Sequence, residues 1–140
     1  MPGEKVIEVC KAAWPAHKSD CSAFVRDVAE RLGVEISGNA DAIVDMMRSD
    51  WQMLADGPAA SAAADAGRLV VAGLKGGEQQ VPSEHGHVVV VVSGPLAHAQ
   101  YPSAYWGRLG GVGAENQTIN WAWRAGDRDK VTYASIAIAP

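Results

Sequence analysis

Ser19-Asp20-Cys21-Ser22-Ala23-Phe24-Val25 puts a cysteine at the point where a helix begins. Asp20 or Ser19 can cap that helix by accepting from first-turn backbone N–H groups, which have no partner within the helix. Beyond the cap, Cys21, Phe24, Val25, Val28, Ala29 and Leu32 recur at helical spacing on one stripe, and Gly33 stands where a glycine ends a helix. A helix with such a stripe must lie on another apolar layer, and Cys21 opens the buried face. A thiol in the first turn also feels the positive end of the helix dipole, which favours thiolate over thiol.

Working outward, residues 4–13 read as a first helix with Val6, Ile7, Val9, Cys10 and Ala13 on its apolar stripe. Pro15 is expected to end it, because the residue before a proline is pushed out of the helical region. Residues 14–18, including His17, are then a connector without fixed geometry. On the other side, Asn39 caps a third helix that carries Ala40, Ile43, Val44, Met46 and Met47, and Trp51 and Leu54 either prolong it or form a second piece. Pro58 suits the first position of an alanine-rich fourth helix that runs to about Ala66, with Gly67 as its stop.

From Arg68 the pattern becomes that of strands. Leu69-Val70-Val71-Ala72-Gly73 is short and apolar. Gly86-His87-Val88-Val89-Val90-Val91-Val92 is a β-branched run expected as a central strand buried on both faces. Residues 105–109 and 118–123 are weaker strand candidates, and residues 131–138 close the chain as a strand. Helices first and strands second give the α+β layout, N-terminal helices packed on one face of an antiparallel sheet.

The length of 140 residues suits a single domain spanning residues 1–140, and 48% apolar residues suffice for a core. A net charge of −4 with no block of Lys or Arg argues against nucleic acid or anionic membrane as a partner. The longest apolar run is strand-length, so no membrane span is expected. The N-terminus lacks the charged-then-apolar layout of a secretory signal, which leaves a cytoplasmic protein or one exported without a cleavable signal. Two cysteines, Cys10 and Cys21, do not make a disulfide framework, and Cys10 reads as a small buried hydrophobe.

A cysteine nucleophile needs a base within hydrogen-bond reach and an orienter for that base. Of His17, His85, His87 and His98, only His87 has a context, at the mouth of the central strand directly after Gly86. His85 and His98 read as solvated. A zinc site from Cys21, His85 and His87 is the other chemical option, but no Cys-x-x-Cys or His-Glu-x-x-His spacing supports it. By position alone, a buried structural Cys21 competes with a catalytic one.

Asp20-Cys21-Ser22-Ala23-Phe24-Val25 together with Gly86-His87-Val88-Val89-Val90-Val91 resembles the nucleophile and base motifs of NlpC-type cysteine peptidases, papain-like enzymes that cut bacterial cell-wall peptides. The segments Gly38-Asn39-Ala40-Asp41-Ala42-Ile43-Val44-Asp45, Leu69-Val70-Val71-Ala72-Gly73-Leu74-Lys75-Gly76 and Ser93-Gly94-Pro95-Leu96, with Tyr101-Pro102, narrow the resemblance to the first family of type VI secretion amidase effectors. It covers about residues 10–129, and several of these blocks have no catalytic reason to recur.

The resemblance implies a papain-like fold with Cys21 as nucleophile and His87 as base. Its third element corresponds to Tyr105-Trp106-Gly107, which offers no His, Asn or Asp side chain, so the Trp106 backbone carbonyl is the expected orienter and Asn120 the side-chain alternative. Asp20 and Ser22 are candidate substrate contacts as well as capping residues. The loop over residues 76–85 is longer than the resemblance leads one to expect. The implied substrate is the peptidoglycan peptide stem, cut at the γ-D-glutamyl–diaminopimelate bond, with no metal or organic cofactor. The implied biology is synthesis in the cytoplasm, delivery by a type VI system into the recipient's periplasm, and partnership with a secretion tube component and a periplasmic immunity protein. Competing readings are a housekeeping wall hydrolase, a papain-like thiol acyltransferase, and a non-catalytic binding domain with a buried cysteine.

Overall fold

Period-two alternation along the valine-rich strands produces a sheet with two buried faces. The structure, a computed structural model, describes residues 2–138. Among these the chain runs α1 (Glu4–His17), α2 (Cys21–Arg31), α3 (Ala40–Asp50), β1 (Gln52–Leu54), α4 (Gly57–Asp65), β2 (Leu69–Leu74), β3 (His87–Val91), β4 (Ser103–Trp106), β5 (Ala114–Thr118) and β6 (Thr132–Ile136). Single 3₁₀ turns at Gly76–Glu78 and Ile119–Trp121 follow β2 and β5. The strands form one six-stranded sheet in the order β1-β6-β2-β3-β4-β5, and every pairing is antiparallel. The architecture is therefore α+β, as expected, with the valine run of β3 in the sheet interior.

Val71, Val88 and Val90 face α1, α2 and α3, where they meet Phe24, Val28, Ile43 and Met47. Val70, Val89 and Val91 face the opposite side, with Trp106, Ile119, Trp123 and the alanines of α4. Each fully buried valine contributes roughly 1.5–3 kcal/mol of transfer free energy, so both faces of β2 and β3 hold the layers together. The expectation of helices on one face applies to α1–α3, while α4 covers the other.

The predicted caps are in place. Asp20 accepts from the Ala23 N–H at 3.1 Å and Asn39 from the Ala42 N–H at 2.9 Å. Gly33 and Gly67 take positive φ at the ends of α2 and α4. Other boundaries differ from the sequence reading. Pro15 does not end α1, which continues to His17. Pro15 lies on the exposed side of the helix, where the Lys11 carbonyl that its missing N–H leaves free can reach solvent. His17 is held by Asp27 at 3.0 Å rather than left in a loose connector. Of the two alternatives for the end of α3 the second piece is the one formed, with residues 52–54 pairing with β6 as an edge strand. The strand placed at residues 118–123 lies earlier, in the polar segment Ala114–Thr118. Likewise β4 is Ser103–Trp106 and ends before residue 109.

The short link between α1 and α2 fixes where Cys21 sits. The Lys18 carbonyl accepts from the Arg108 N–H at 3.1 Å and from the Gly113 N–H at 2.7 Å. The Trp14 indole donates to the Trp106 carbonyl at 2.9 Å. The end of β4 thus runs directly against the link. Gly107 permits this approach, since a Cβ there would collide with the His17 carbonyl oxygen and lie 2.7 Å from that of Asp20. Gly107→Ala is expected to destabilise the protein by roughly 1–3 kcal/mol through overpacking against backbone, read from urea unfolding midpoints. An unchanged midpoint would mean that the link is free to move.

Candidate active site

Cys21 is the first residue of α2, and His87 is the first residue of β3. The two elements pack against each other through the helix-covered face of the sheet. His87 lies on the other face by strand alternation, where its ring meets Trp106 edge-on at 6.5 Å and Trp123 at 5.2 Å. Both residues line one cavity of about 640 Å³ at the end of the sheet. The Val88 backbone N–H, one residue beyond the histidine, interacts with the Cys21 thiol. The arrangement therefore joins a sulfur, an imidazole and an open space beside them.

Burial controls the protonation of both groups. It pushes the Cys21 thiol above its ordinary value, and the Asp20 carboxylate adds to the rise. N–H groups of Val88, Ser22 and Cys21 itself oppose the shift without cancelling it. The helix-start effect expected from sequence is thus present, but desolvation outweighs it. The His87 imidazole is lowered to about 4, first by burial and second by the positive charge of Arg108. Near neutral pH the resting pair is a thiol and a neutral imidazole, the form in which a histidine can accept a proton.

The other sequence-selected residues fall as follows. Asp20 Oδ1 accepts from both the Ala23 N–H and the Ser22 hydroxyl at 3.1 Å, so capping is a structural role for both residues. They also line a smaller cavity that shares Cys21 with the main one. The Trp106 carbonyl, expected as the orienter, already receives the Trp14 indole N–H, which leaves one lone pair for a further donor. Asn120 lines the main cavity, and its buried Oδ1 has no partner among the described residues. No hydrogen bond holds the His87 ring among the described residues; its neighbours are the two tryptophan rings. His85 and His98 are exposed. Cys10 is buried under α1 and, like Cys21, is a free thiol.

Sequence reasoning missed the aromatic bracket around His87. Trp121-Ala122-Trp123 held the signal, with Trp121 exposed and Trp123 buried. It also missed what the long loop does. Val81, Pro82 and Ser83 form part of the cavity wall. Asp41 holds the loop's start by accepting from the Gly76 N–H at 2.9 Å, and the buried Asp127 accepts from the Gln80 N–H at 2.7 Å. Arg48 grips Glu78 through both carboxylate oxygens at 2.8 Å.

No family model matches the chain. The chain is 37% identical over 145 residues to the peptidoglycan amidase Tse1 of Pseudomonas aeruginosa. The match spans 96% of this chain and 90% of that protein.

The His87 environment makes stability depend on pH. An imidazole at about 4 in the folded state and 6.5 in the unfolded chain means that unfolding takes up a proton between those values. Its contribution is therefore full above pH 6.5 and falls away toward pH 4, by about 3 kcal/mol in all. His87→Gln is expected to flatten the unfolding free energy over this interval relative to the parent, as measured by urea titration at stepped pH. Parallel curves for the two proteins would show that His87 titrates like a solvated histidine.

Proposed function

Because the chain belongs to the family of the peptidoglycan amidase Tse1, we propose that it is a peptidoglycan amidase working by a Cys21–His87 mechanism of the NlpC, papain-like type. The observation that carries the mechanism is that Cys21 and His87 line the same open cavity, with the Val88 N–H interacting with the sulfur. We assign the scissile bond to γ-D-glutamyl–diaminopimelate in the peptide stem.

In this reading His87 takes the Cys21 proton as the thiolate attacks the amide carbonyl. The neutral resting pair suits proton transfer during attack rather than a preformed ion pair. The oxyanion that develops receives the backbone N–H of Cys21, a donor type worth about 3–4 kcal/mol in transition-state stabilisation. The imidazolium then protonates the leaving amine, and the C–N bond breaks to give a thioester. Water, deprotonated by His87, hydrolyses the thioester and restores the thiol.

His87 is held laterally by Trp106 and Trp123. The Trp106 carbonyl, which accepts from the Trp14 indole and makes no hydrogen bond to His87 in the resting structure, is proposed as the polar orienter when the imidazolium forms. Asn120 is the rival, supported by its unpartnered oxygen. Asp20 and Ser22 are proposed to touch the stem from the smaller cavity. Biologically, the reading extends to a type VI effector delivered to the recipient's periplasm, associating with a secretion tube component and neutralised by a periplasmic immunity protein. Among the described residues no helix is long and apolar enough to cross a membrane.

Digestion of diaminopimelate-type peptidoglycan, with fragments identified by mass spectrometry, tests the assignment. Release of fragments cut between D-Glu and diaminopimelate is expected from the parent, with a loss of at least about 10³-fold in Cys21→Ala and His87→Ala. A folded parent that leaves the wall intact would overturn it. Asn120→Ala separates the orienters. With the carbonyl in that role, kcat is expected to stay within about threefold, whereas a fall of about 10²-fold would transfer the role to Asn120.

A further inference from the structure

The chain's arginines divide into those with a structural partner and those without. Arg26 donates to the Gly38 carbonyl, Arg31 pairs with Asp27, Arg48 pairs with Glu78, and Arg68 donates to the Ser135 hydroxyl. Arg128 lies over the Tyr101 ring, 5.0 Å from its centre. Among the described residues, Arg108 and Arg124 have no side-chain hydrogen bond or ion pair, and both are exposed. Both also line the cavity that holds Cys21 and His87.

They reach that cavity from different segments, Arg108 just beyond β4 and Arg124 just beyond the Ile119–Trp121 turn. Their positive charge faces little internal competition there. The carboxylate in the same cavity wall is Asp127, which is buried, bonded to the Gln80 N–H at 2.7 Å and near Lys130 at 3.7 Å. The other acids close by, Asp20 and Glu84, line the smaller neighbouring cavity. A chain of net charge −4 thus keeps its two unpaired guanidinium groups at the candidate catalytic cavity.

We propose that Arg108 and Arg124 are specificity determinants that bind carboxylates flanking the scissile amide, so that the enzyme selects stems with free carboxylates over carboxamide stems. This rests on the amidase reading above. A γ-linked glutamyl residue keeps its α-carboxylate on one side of the bond, and diaminopimelate carries a free carboxylate at the end of its side chain on the other. A guanidinium matches a carboxylate with two parallel N–H···O bonds, whereas a carboxamide offers one acceptor and no charge. Both arginines are exposed and unbonded, so replacing them leaves no buried group unsatisfied.

The test compares two synthetic stems of identical sequence, one with free carboxylates and one with the α-carboxylate of D-Glu and the side-chain carboxylate of diaminopimelate as carboxamides. The kcat/KM of each is measured for the parent, Arg108→Gln, Arg124→Gln and the double variant. The ratio of the two stems is the readout, because any effect of Arg108 on the basicity of His87 cancels in it. The parent is expected to favour the free-carboxylate stem by about tenfold or more, mostly in KM, and each substitution to lower that preference several-fold. The double variant is expected to abolish the preference, and Arg108→Lys with Arg124→Lys to restore part of it. Equal rates on both stems by the parent, or a ratio that survives in the double variant, would overturn the role of the arginines while leaving the amidase reading intact. Failure of the parent to cut either stem would overturn the amidase reading and the selectivity with it.

Discussion

Desolvation at the end of the sheet is the constraint on which the site depends. Cys21 is 5% exposed, and the His87 imidazole is packed between tryptophan rings. Either group in its charged form would give up hydration that these surroundings do not fully replace. The thiol therefore stays protonated and the imidazole neutral, although the thiol lies at the start of a helix whose dipole favours the opposite. The few N–H groups at the sulfur are too weak a substitute for water. In the proposed mechanism an imidazole that is neutral at every pH above about 4 acts as the base for a thiol that loses its proton only when attack begins.

The rest of the fold holds that dry corner in shape. The valine run of β3 is buried on both faces and cannot slip by one residue without exchanging its two sides, which fixes the register of His87. The α1–α2 link is clasped by two N–H groups from the segment after β4, which fixes Cys21. The Trp14 indole joins the last residue of β4 to α1. The long loop before His87 is tied at one end to α3 through Asp41 and farther on to the turn at residues 125–129 through Asp127. Cys21 and His87 come from opposite layers, and this set of polar ties brings them to one cavity.

Much of this was legible in the chain because it depends on local rules. Asp20, Asn39, Gly33 and Gly67 cap or stop helices through bonds to residues at most a few positions away. The valines of β3 announce a central strand by side-chain type. Cys21 and His87 could be selected because each opens an element with a clear apolar pattern. What escaped the reading depends on distant partners. Pro15 is tolerated because of which side of α1 meets solvent. β5 is a polar edge strand whose sequence, Ala114-Glu115-Asn116-Gln117-Thr118, carries no apolar alternation and is held by pairing with β4. The bracketing of His87 by Trp106 and Trp123 joins residues far apart in sequence, and the net protonation of Cys21 depends on how much protein covers it.

The pH dependence of Cys21 alkylation by iodoacetamide, followed residue by residue with mass spectrometry, tests this account most directly. Cys10 serves as an internal buried thiol. The account predicts slow modification of Cys21 through mildly acidic and neutral pH, rising only above the ordinary thiol value of 9.0. A rapid, pH-independent reaction of Cys21 near pH 5–6 would reveal a thiolate–imidazolium pair already formed at rest. It would contradict the claim that burial keeps both partners neutral until substrate arrives.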